Sequence, residues 1–401
     1  MKFSYFQPFK EDNETMQQGN YENIQAVFQE KFGRQARLMI RACGRINLIG
    51  EHTDYNDGYV LPAAIDKHLY FAIAENGTST CHFWAEDIKE SGEADLKNLS
   101  KGKQLWLNYL CGILQQFQLD GKDVCGVDVA FGGDLPIGAG VSSSAALECG
   151  FGWALNQLFD AGYSKPDIAR VARHSSNQFM GIPSGIMDQF ASIMGKANHF
   201  ILLDCRSLEH LYIPADLGDY QIVLLNSNVH HELASSAYSD RVAECRAGVA
   251  ILQKYYTGIK SLRDVDLTML ESHQDEVNPI VFRRCKYVIN EHNRTLKACE
   301  YLQNGQIEAL GQLLFATHEG LRDDYEVSCV EIDFLVDIAK DFKGVAGARV
   351  MGGGFGGCTI NLVKQDLVSD FVEKAKSAYY KKFKIELEHL KVNISDGTDV
   401  L

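Results

Sequence analysis

The sequence predicts an α+β fold in two domains, and three observations carry that expectation. Strand-like and helical patterns are mixed along the chain without the regular strand–helix alternation of a doubly wound sheet. The 401 residues are enough for two or three domains with a substantial core. Long helical patterns dominate from Ser239 to Lys340, whereas strands are spread through the first half and return near the end.

Taken in order, residues 1–20 are polar and are expected to form an N-terminal surface arm. Tyr21–Phe32 reads as an amphipathic helix with Ile24, Val27, Phe28 and Phe32 on one side. Strand-like runs follow at Arg37–Ala42, Leu69–Ala74 and Thr80–Trp84, then an acidic excursion from Glu86 to Ser100 that is expected to be exposed. A helix carries Leu105, Trp106, Tyr109, Ile113 and Leu114, and Val124–Phe131 is the next strand. Helical patterns cover Ser144–Phe159 and Lys165–Phe179. Gly181, Pro183 and Gly185 then break the pattern over residues 181–190. Strands recur at Phe200–Leu203 and Gln221–Leu225. The long helices break near Gly258 and Gly305, and two strands, Ala348–Met351 and Cys358–Val363, flank a glycine knot. A lysine-rich helix, Leu367–Phe383, precedes the last strand. The best division lies between residues 195 and 215, giving domains 21–200 and 201–401.

Composition narrows the function. A hydrophobic fraction of 46% and a charged fraction of 23% are those of an ordinary soluble globular protein. The net charge of -14 argues against nucleic acid or an anionic membrane surface as the main partner. Eleven cysteines occur singly, with no C-x-x-C pair, as expected of buried thiols in a reducing compartment. The first residues, MKFSYFQP, lack the apolar core of a secretory leader, and no apolar run approaches membrane-spanning length. A cytoplasmic protein is expected.

Residues 133–149 (GDLPIGAGVSSSAALEC) are the most informative stretch. Gly138, Ala139, Gly140 and Val141 turn into Ser142, Ser143 and Ser144, and then into strong helix formers. That order leaves backbone N–H groups and hydroxyls at a helix start whose dipole favours anions. The pattern G-x-x-x-x-G-K-[ST] is absent, so a phosphate here would be held without a lysine. Alone, the stretch reads equally well as a serine-capped helix start.

Three further segments could carry chemistry. The loop 44–58 (GRINLIGEHTDYNDG) crowds Glu51, His52, Asp54 and Asn56 into one turn, which suits a polyhydroxyl ligand such as a sugar, or simply a solvated turn. Its spacing fails as a calcium loop, with Ile65 where the bidentate Glu should stand. Asp188 sits among apolar neighbours, where an unpaired carboxylate is costly. A cation such as Arg45 could keep it ionised as a base, or it could be a helix-capping or structural ion-pair residue. Residues 349–358 (RVMGGGFGGC) formally match G-x-G-x-x-G, but no dinucleotide-binding unit can follow so close to the C-terminus. A tight hairpin, or a backbone that approaches something closely, remains.

In their order and spacing, these motifs resemble the three signatures of the GHMP small-molecule kinases. Residues 44–58 resemble the galactokinase signature of that family nearly residue for residue. The likeness extends to Gly185–Gln189, Asn226–Val229, Ser235–Tyr238 and Gly352–Cys358. It implies the two-domain GHMP kinase fold with its active site between the domains. The activity implied is transfer of the γ-phosphoryl of ATP to the anomeric hydroxyl of galactose, the entry step of galactose metabolism. It further implies Asp188 as the catalytic carboxylate and Arg45 as the residue that orients it. Glu51, His52, Asp54 and Tyr238 are implied as sugar contacts, with Gly185 beside the sugar. The resemblance assigns Gly138–Ser144 to the phosphates, Ser144 to the Mg²⁺ side and Trp106 to the adenine pocket. Galactose and MgATP are therefore the expected partners.

One departure stands out. The family usually places a glutamate twelve residues before the catalytic aspartate to complete the Mg²⁺ site, and here Ser176 stands there. A hydroxyl is a weaker ligand for a hard cation than a carboxylate. Two alternatives follow: a non-catalytic galactose and ATP sensor, or a kinase for a related sugar such as N-acetylgalactosamine.

Overall fold

The computed structural model describes residues 9–230 and 234–401, with side chains described from 18 to 229 and from 237 onward. The chain runs from α1 (Phe9–Phe32) into β1 (Leu38–Asn47), the short β2 (Tyr59–Val60) and the long β3 (Pro62–Glu75). A hairpin of β4 (Thr80–Ala85) and β5 (Glu90–Asp95) follows, then α2 (Leu105–Leu119) and β6 (Val127–Gly133). Next come α3 (Ser143–Phe159), α4 (Lys165–His174), α5 (Met187–Met194), β7 (His199–Asp204), β8 (His210–Pro214) and β9 (Tyr220–His230). The helical stretch is α6 (Ala234–Leu252), α7 (Leu267–Glu271), α8 (Pro279–Gln303), α9 (Ile307–Glu319) and α10 (Val330–Lys340). The chain closes with β10 (Val345–Val350), β11 (Gly356–Lys364), α11 (Val368–Phe383), β12 (Glu388–Lys391) and β13 (Asp399–Val400).

Three sheets organise these elements. The first has the order β13-β1-β3-β6-β4-β5, with β4 and β6 parallel and its other pairs antiparallel. The apolar run Leu69–Ala74 lies inside β3 because both sheet faces are covered. Ile24, Val27 and Phe28 of α1 pack with Met39, Tyr70 and Ala72 on one side. The opposite face, with Phe71 and Phe131, packs into the main core with Phe151 and Leu155 of α3. The second sheet, β10-β11-β9-β12, is antiparallel, and Val223 and Leu225 pack with Leu335, Phe371 and Tyr379 of α10 and α11. The third is β2-β7-β8. No helix among the described residues is long and apolar enough to cross a membrane, and all eleven cysteines are unpaired.

Several sequence expectations change. The first helix starts at Phe9, so the expected arm is helical from there, and residues 1–8 lie outside the described residues. The acidic excursion contains β5, because Cys81 and Ala94 pair across the hairpin with their side chains inward. Strand β8 had no clear apolar alternation to mark it. The second of the paired helices ends at His174 and passes into a π-helical turn, Ser175–Met180. The segment that breaks with Gly181 and Gly185 re-forms as α5, which places Asp188 in a first helical turn. A division at residue 200 falls within the third sheet, and β13 returns from the C-terminus to pair with β1. The two halves therefore share strands across the expected boundary.

Candidate active site

Arg45 owes its position to a local irregularity. The β1–β3 register shifts between Cys43 and Arg45, and a bulge of this kind re-aims the side chains that follow it. A Cβ at Gly44 would lie 2.3 Å from Leu135 Cδ1 and 2.9 Å from the Val141 carbonyl oxygen. Only glycine lets β1 approach the 134–142 loop so closely, and the Arg45 N–H donates to Val141 O at 3.0 Å.

The Arg45 guanidinium meets the Asp188 carboxylate through Nε–Oδ1 at 2.7 Å and Nη2–Oδ2 at 2.9 Å. Its Nη1 donates to Gly140 O at 2.7 Å. Burial opposes the arginine's charge, but the charge of Asp188 and its hydrogen bonds outweigh that and raise the Arg45 pKa above its ordinary value. Only 4% of the arginine side chain is exposed against 34% of the aspartate's, so the carboxylate is the group the cleft presents. The Ser142 hydroxyl also donates to Asp188 Oδ2. Ser142 holds φ +59°, a costly backbone conformation for a residue with a Cβ.

A cavity of about 240 Å³ opens over this pair, lined by Arg45, Glu51, His52, Asp54, Gly185, Asp188, Tyr238, Ser144 and Ser176. The expected sugar contacts therefore meet at one place. Glu51 accepts from Arg349 Nη1 at 3.0 Å and from the Gly352 N–H at 2.7 Å. Burial, then the charges of Asp188 and Glu51, push the Asp54 pKa up to about 6. Burial pushes His52 down to about 3, so its ring is neutral. A Cβ at Gly185 would fall 2.0 Å from Asp54 Oδ2, so this glycine makes room for that carboxylate.

A second cavity of about 260 Å³, mostly apolar, is lined by Trp106, Ile88, Leu105, Phe131, Ser143 and Leu147, among others. Tyr109 and Ser144 line both cavities, so the two meet at the start of α3. Trp106 donates from Nε1 to Glu90 at 2.9 Å, which fixes its ring at the cavity wall. Gly138 and Gly140 hold φ +77° and +74°, and the side chains of Ala139 and Val141 are buried, so that part of the loop offers backbone only. The glycine knot closes the cleft: a Cβ at Gly352 would lie 3.6 Å from Gly140 O and 3.9 Å from Arg45 Nη2. Ser227 Oγ ties β9 to the knot at Gly357 O, 2.9 Å away. The side chains of Ser235 and Ser236 lie outside the described residues.

The donor set suits a divalent cation that arrives with a polyphosphate. Among the described residues no group of three or more His, Cys, Asp or Glu could hold a metal. Mg²⁺ commonly keeps several waters and leans on substrate phosphates, and Ser144 and Ser176 offer hydroxyl oxygens at the cavity wall. Ser176 donates to Glu148 Oε1 at 2.7 Å, and Gln189 Nε2 donates to Glu148 Oε2 at 3.1 Å. Gln189 Oε1 is buried at the cavity wall without a partner. Burial pushes the Glu148 carboxyl up to about 8.

Sequence reasoning gave no role to Arg349, Glu148, Tyr55 or Tyr325. The first three lie inside the glycine-bearing segments, Arg349 in 349–358, Glu148 in 133–149 and Tyr55 in 44–58. Tyr325 carried no signal, because its role depends on contacts between distant segments.

The chain matches the family model of the galactokinase galactose-binding signature over residues 26–75. It also matches the GHMP kinase N-terminal domain over 108–196 and the GHMP kinase C-terminal domain over 298–381. It is 41% identical to the galactokinase of Thermotoga neapolitana over 361 residues, covering 90% of this chain and 99% of that one. Against the galactokinase of Lacticaseibacillus casei it is 38% identical over 387 residues, covering 95% and 100%. The crystal structure of Lactococcus lactis galactokinase complexed with galactose superposes with a TM-score of 0.91 at 33% identity, covering 95% and 99%. A mevalonate kinase structure shares the fold, with a TM-score of 0.60 at 17% identity over 90% of this chain and 99% of that one.

Proposed function

The chain belongs to the galactokinases of the GHMP kinase family and is an ATP-dependent galactose kinase, and we propose that it phosphorylates the anomeric hydroxyl of D-galactose with Asp188 and Arg45 as the catalytic pair. The observation that carries this reading is the two-point contact of Asp188 with Arg45, beneath a polar cavity and next to the Ser142–Ser144 loop.

Galactose fills the polar cavity, with hydroxyls held by Glu51, His52, Asp54 and Tyr238 and the ring passing over Gly185. Adenine occupies the apolar cavity beside Trp106, and the phosphates cross the N-terminus of α3 on the backbone of Gly138–Val141 and the hydroxyls of Ser143 and Ser144. Ser142 serves through Asp188, which it hydrogen-bonds. Phosphoryl transfer asks for positioning and charge stabilisation more than covalent chemistry. Asp188 accepts a hydrogen bond from the attacking hydroxyl and takes its proton as the bond to phosphorus forms. Arg45 fixes both carboxylate oxygens, so the proton acceptor has one orientation, and its charge offsets that developing at the phosphoryl group.

Ser144, with Ser176 lining the same cavity, would hold Mg²⁺, which when bound neutralises the phosphate oxygens. Glu148, buried behind Ser176 and accepting its hydroxyl proton, fixes the orientation of that hydroxyl. The sensor and N-acetylgalactosamine alternatives are not favoured, since the catalytic pair is assembled and the relatives named above are galactokinases. A cytoplasmic setting is supported by the eleven unpaired thiols.

A coupled ADP-release assay with galactose, N-acetylgalactosamine and 2-deoxygalactose across a Mg²⁺ titration tests the proposal. Turnover with galactose that requires Mg²⁺ is expected. Sugar binding without ADP release would overturn it.

A further inference from the structure

Behind the polar cavity a chain of hydroxyls leads away from His52. His52 Nδ1 lies 2.8 Å from Tyr55 Oη, Tyr55 Oη lies 2.7 Å from Tyr325 Oη, and Tyr325 Oη lies 3.2 Å from Cys245 Sγ. His52 and Tyr55 belong to the sugar loop after β1, Tyr325 follows the π-turn after α9, and Cys245 is on α6. The chain therefore joins both halves of the molecule. Rings brace it on several sides, with centroids at 4.9 Å for His52–Tyr325, 5.4 Å for Tyr55–Tyr238 and 4.6 Å for Tyr287–Tyr325. His52 Nε2 is buried with no side-chain partner, its ring lines the cavity, and the nearest backbone acceptor is the Gly353 carbonyl.

We infer that Tyr55 and Tyr325 are positioning residues for the sugar site, whose linked hydroxyls hold His52 as the Nε2–H tautomer so that it donates to a sugar oxygen. The inference rests on the galactose reading of this cavity. A phenol has one proton to give, so a row of hydroxyls between a thiol and an imidazole can point only one way at a time. The nearby Gly353 carbonyl favours a proton on the ring. With Nδ1 engaged by Tyr55, that proton belongs on Nε2. The thiol then donates to Tyr325, Tyr325 to Tyr55, and Tyr55 to Nδ1. Burial pushes Cys245 up to about 11, so its proton stays in place as the origin of the row. The Gly353 carbonyl is a loosely aligned acceptor for that proton, so a sugar oxygen in the cavity can improve on it.

Long-range ¹H–¹⁵N spectra of the whole sugar-free protein test this directly, with His52 assigned by its loss in His52→Gln. A pyrrole-like Nε2 and a pyridine-like Nδ1 are expected in the wild type. Tyr325→Phe and Tyr55→Phe keep the rings and remove the hydroxyls, and both should give mixed tautomers. Their galactose KM should rise about 3- to 10-fold, the worth of one hydrogen bond, with the ATP KM unchanged. Melting curves of both variants confirm that the fold is kept. A single tautomer in both variants, or mixed tautomers with an unchanged galactose KM, overturns the inference. The tautomer is measured without sugar, so failure of the wild type to turn over galactose would count against the proposed function and not against the relay.

Discussion

Glu51 and Arg349, 298 residues apart in sequence, form a fully buried ion pair that locks the sugar loop to the glycine knot. Arg349 also donates to the carbonyls of Asn47, Leu48 and Val350. Its position in the buried β10 leaves no water to replace these partners. Replacing it with Met strands the Glu51 carboxylate against three unpaired carbonyls, and removing one partner of a buried pair typically costs about 3–5 kcal/mol. Arg349→Met should lower the melting temperature by roughly 4–6 °C and raise the galactose KM. Differential scanning calorimetry checks the first effect. A melting point unchanged within error would mean the pair is not structural support.

What the sequence disclosed follows from how local each feature is. Residues 44–58 and 133–149 hold their chemistry in one contiguous loop each, so glycine turns and polar crowding mark them directly. The Arg45–Asp188 pair was accessible as a charge argument, because an isolated carboxylate in an apolar segment demands a cation. Tyr325 and Arg349 were not, since each is defined by partners in other segments. Boundaries failed where tertiary contacts override local pattern. The acidic β5 strand is held by pairing with β4, and the π-turn at Ser175–Met180 is tied by Asn177 Oδ1, which accepts from the Ser184 N–H at 2.9 Å. The final β13 is two residues long and exists only because β1 offers an edge.

Asp188→Asn preserves volume but takes away the charge and one of the two acceptors that face Arg45. On the proposed mechanism, kcat falls on the order of 10²- to 10⁴-fold and the galactose KM changes little, while the melting temperature falls by a few degrees because the buried Arg45 loses its counter-charge. Steady-state kinetics beside a thermal melt provide the check. Turnover near the wild-type rate would remove Asp188 from proton transfer.

Asp54 makes the sugar site sensitive to acid. Its pKa of about 6 means it is charged above that pH and becomes neutral below it, losing acceptor capacity for a sugar hydroxyl. Because kcat/KM reports groups of the free enzyme, kcat/KM for galactose should be level near pH 8 and decline as pH falls through about 6. His52, down at about 3, adds no step in this window. Asp54→Asn should lower kcat/KM and flatten this limb of the profile. A profile that keeps its acid limb in that variant would assign the limb to another group.

Gly185 is the site's steric reference point. The methyl group of Gly185→Ala would collide with the Asp54 carboxylate, which the N–H of Tyr55 also holds at 3.0 Å and which cannot retreat without breaking that bond. The galactose KM should rise by about tenfold or more, since a displacement near 1 Å is costly in a preorganised site. The ATP KM should stay put. Equal effects on both substrates would show a general collapse of the cleft.

On the proposed reading, Ser176 sets how tightly the metal is held. Its hydroxyl donates to the wholly buried Glu148, so Ser176→Glu would set a second carboxylate against the first. Burial already holds Glu148 protonated near neutral pH, and without a cation repulsion keeps the two carboxyls from both being charged, so the variant should melt at a lower temperature than the wild type. A divalent cation relieves that repulsion and gains a hard oxygen ligand, so the Mg²⁺ concentration for half-maximal ADP release should fall on the order of tenfold. Addition of MgADP should likewise stabilise the variant more than it stabilises the wild type, because the metal binds the folded form with a ligand the wild type lacks. Ser176→Ala separates the two contributions: it removes the donor to Glu148 without adding a charge, and should leave the Mg²⁺ midpoint within about twofold. An unchanged midpoint in Ser176→Glu would place residue 176 out of reach of the metal and leave Ser144 as the protein's hydroxyl on that ion.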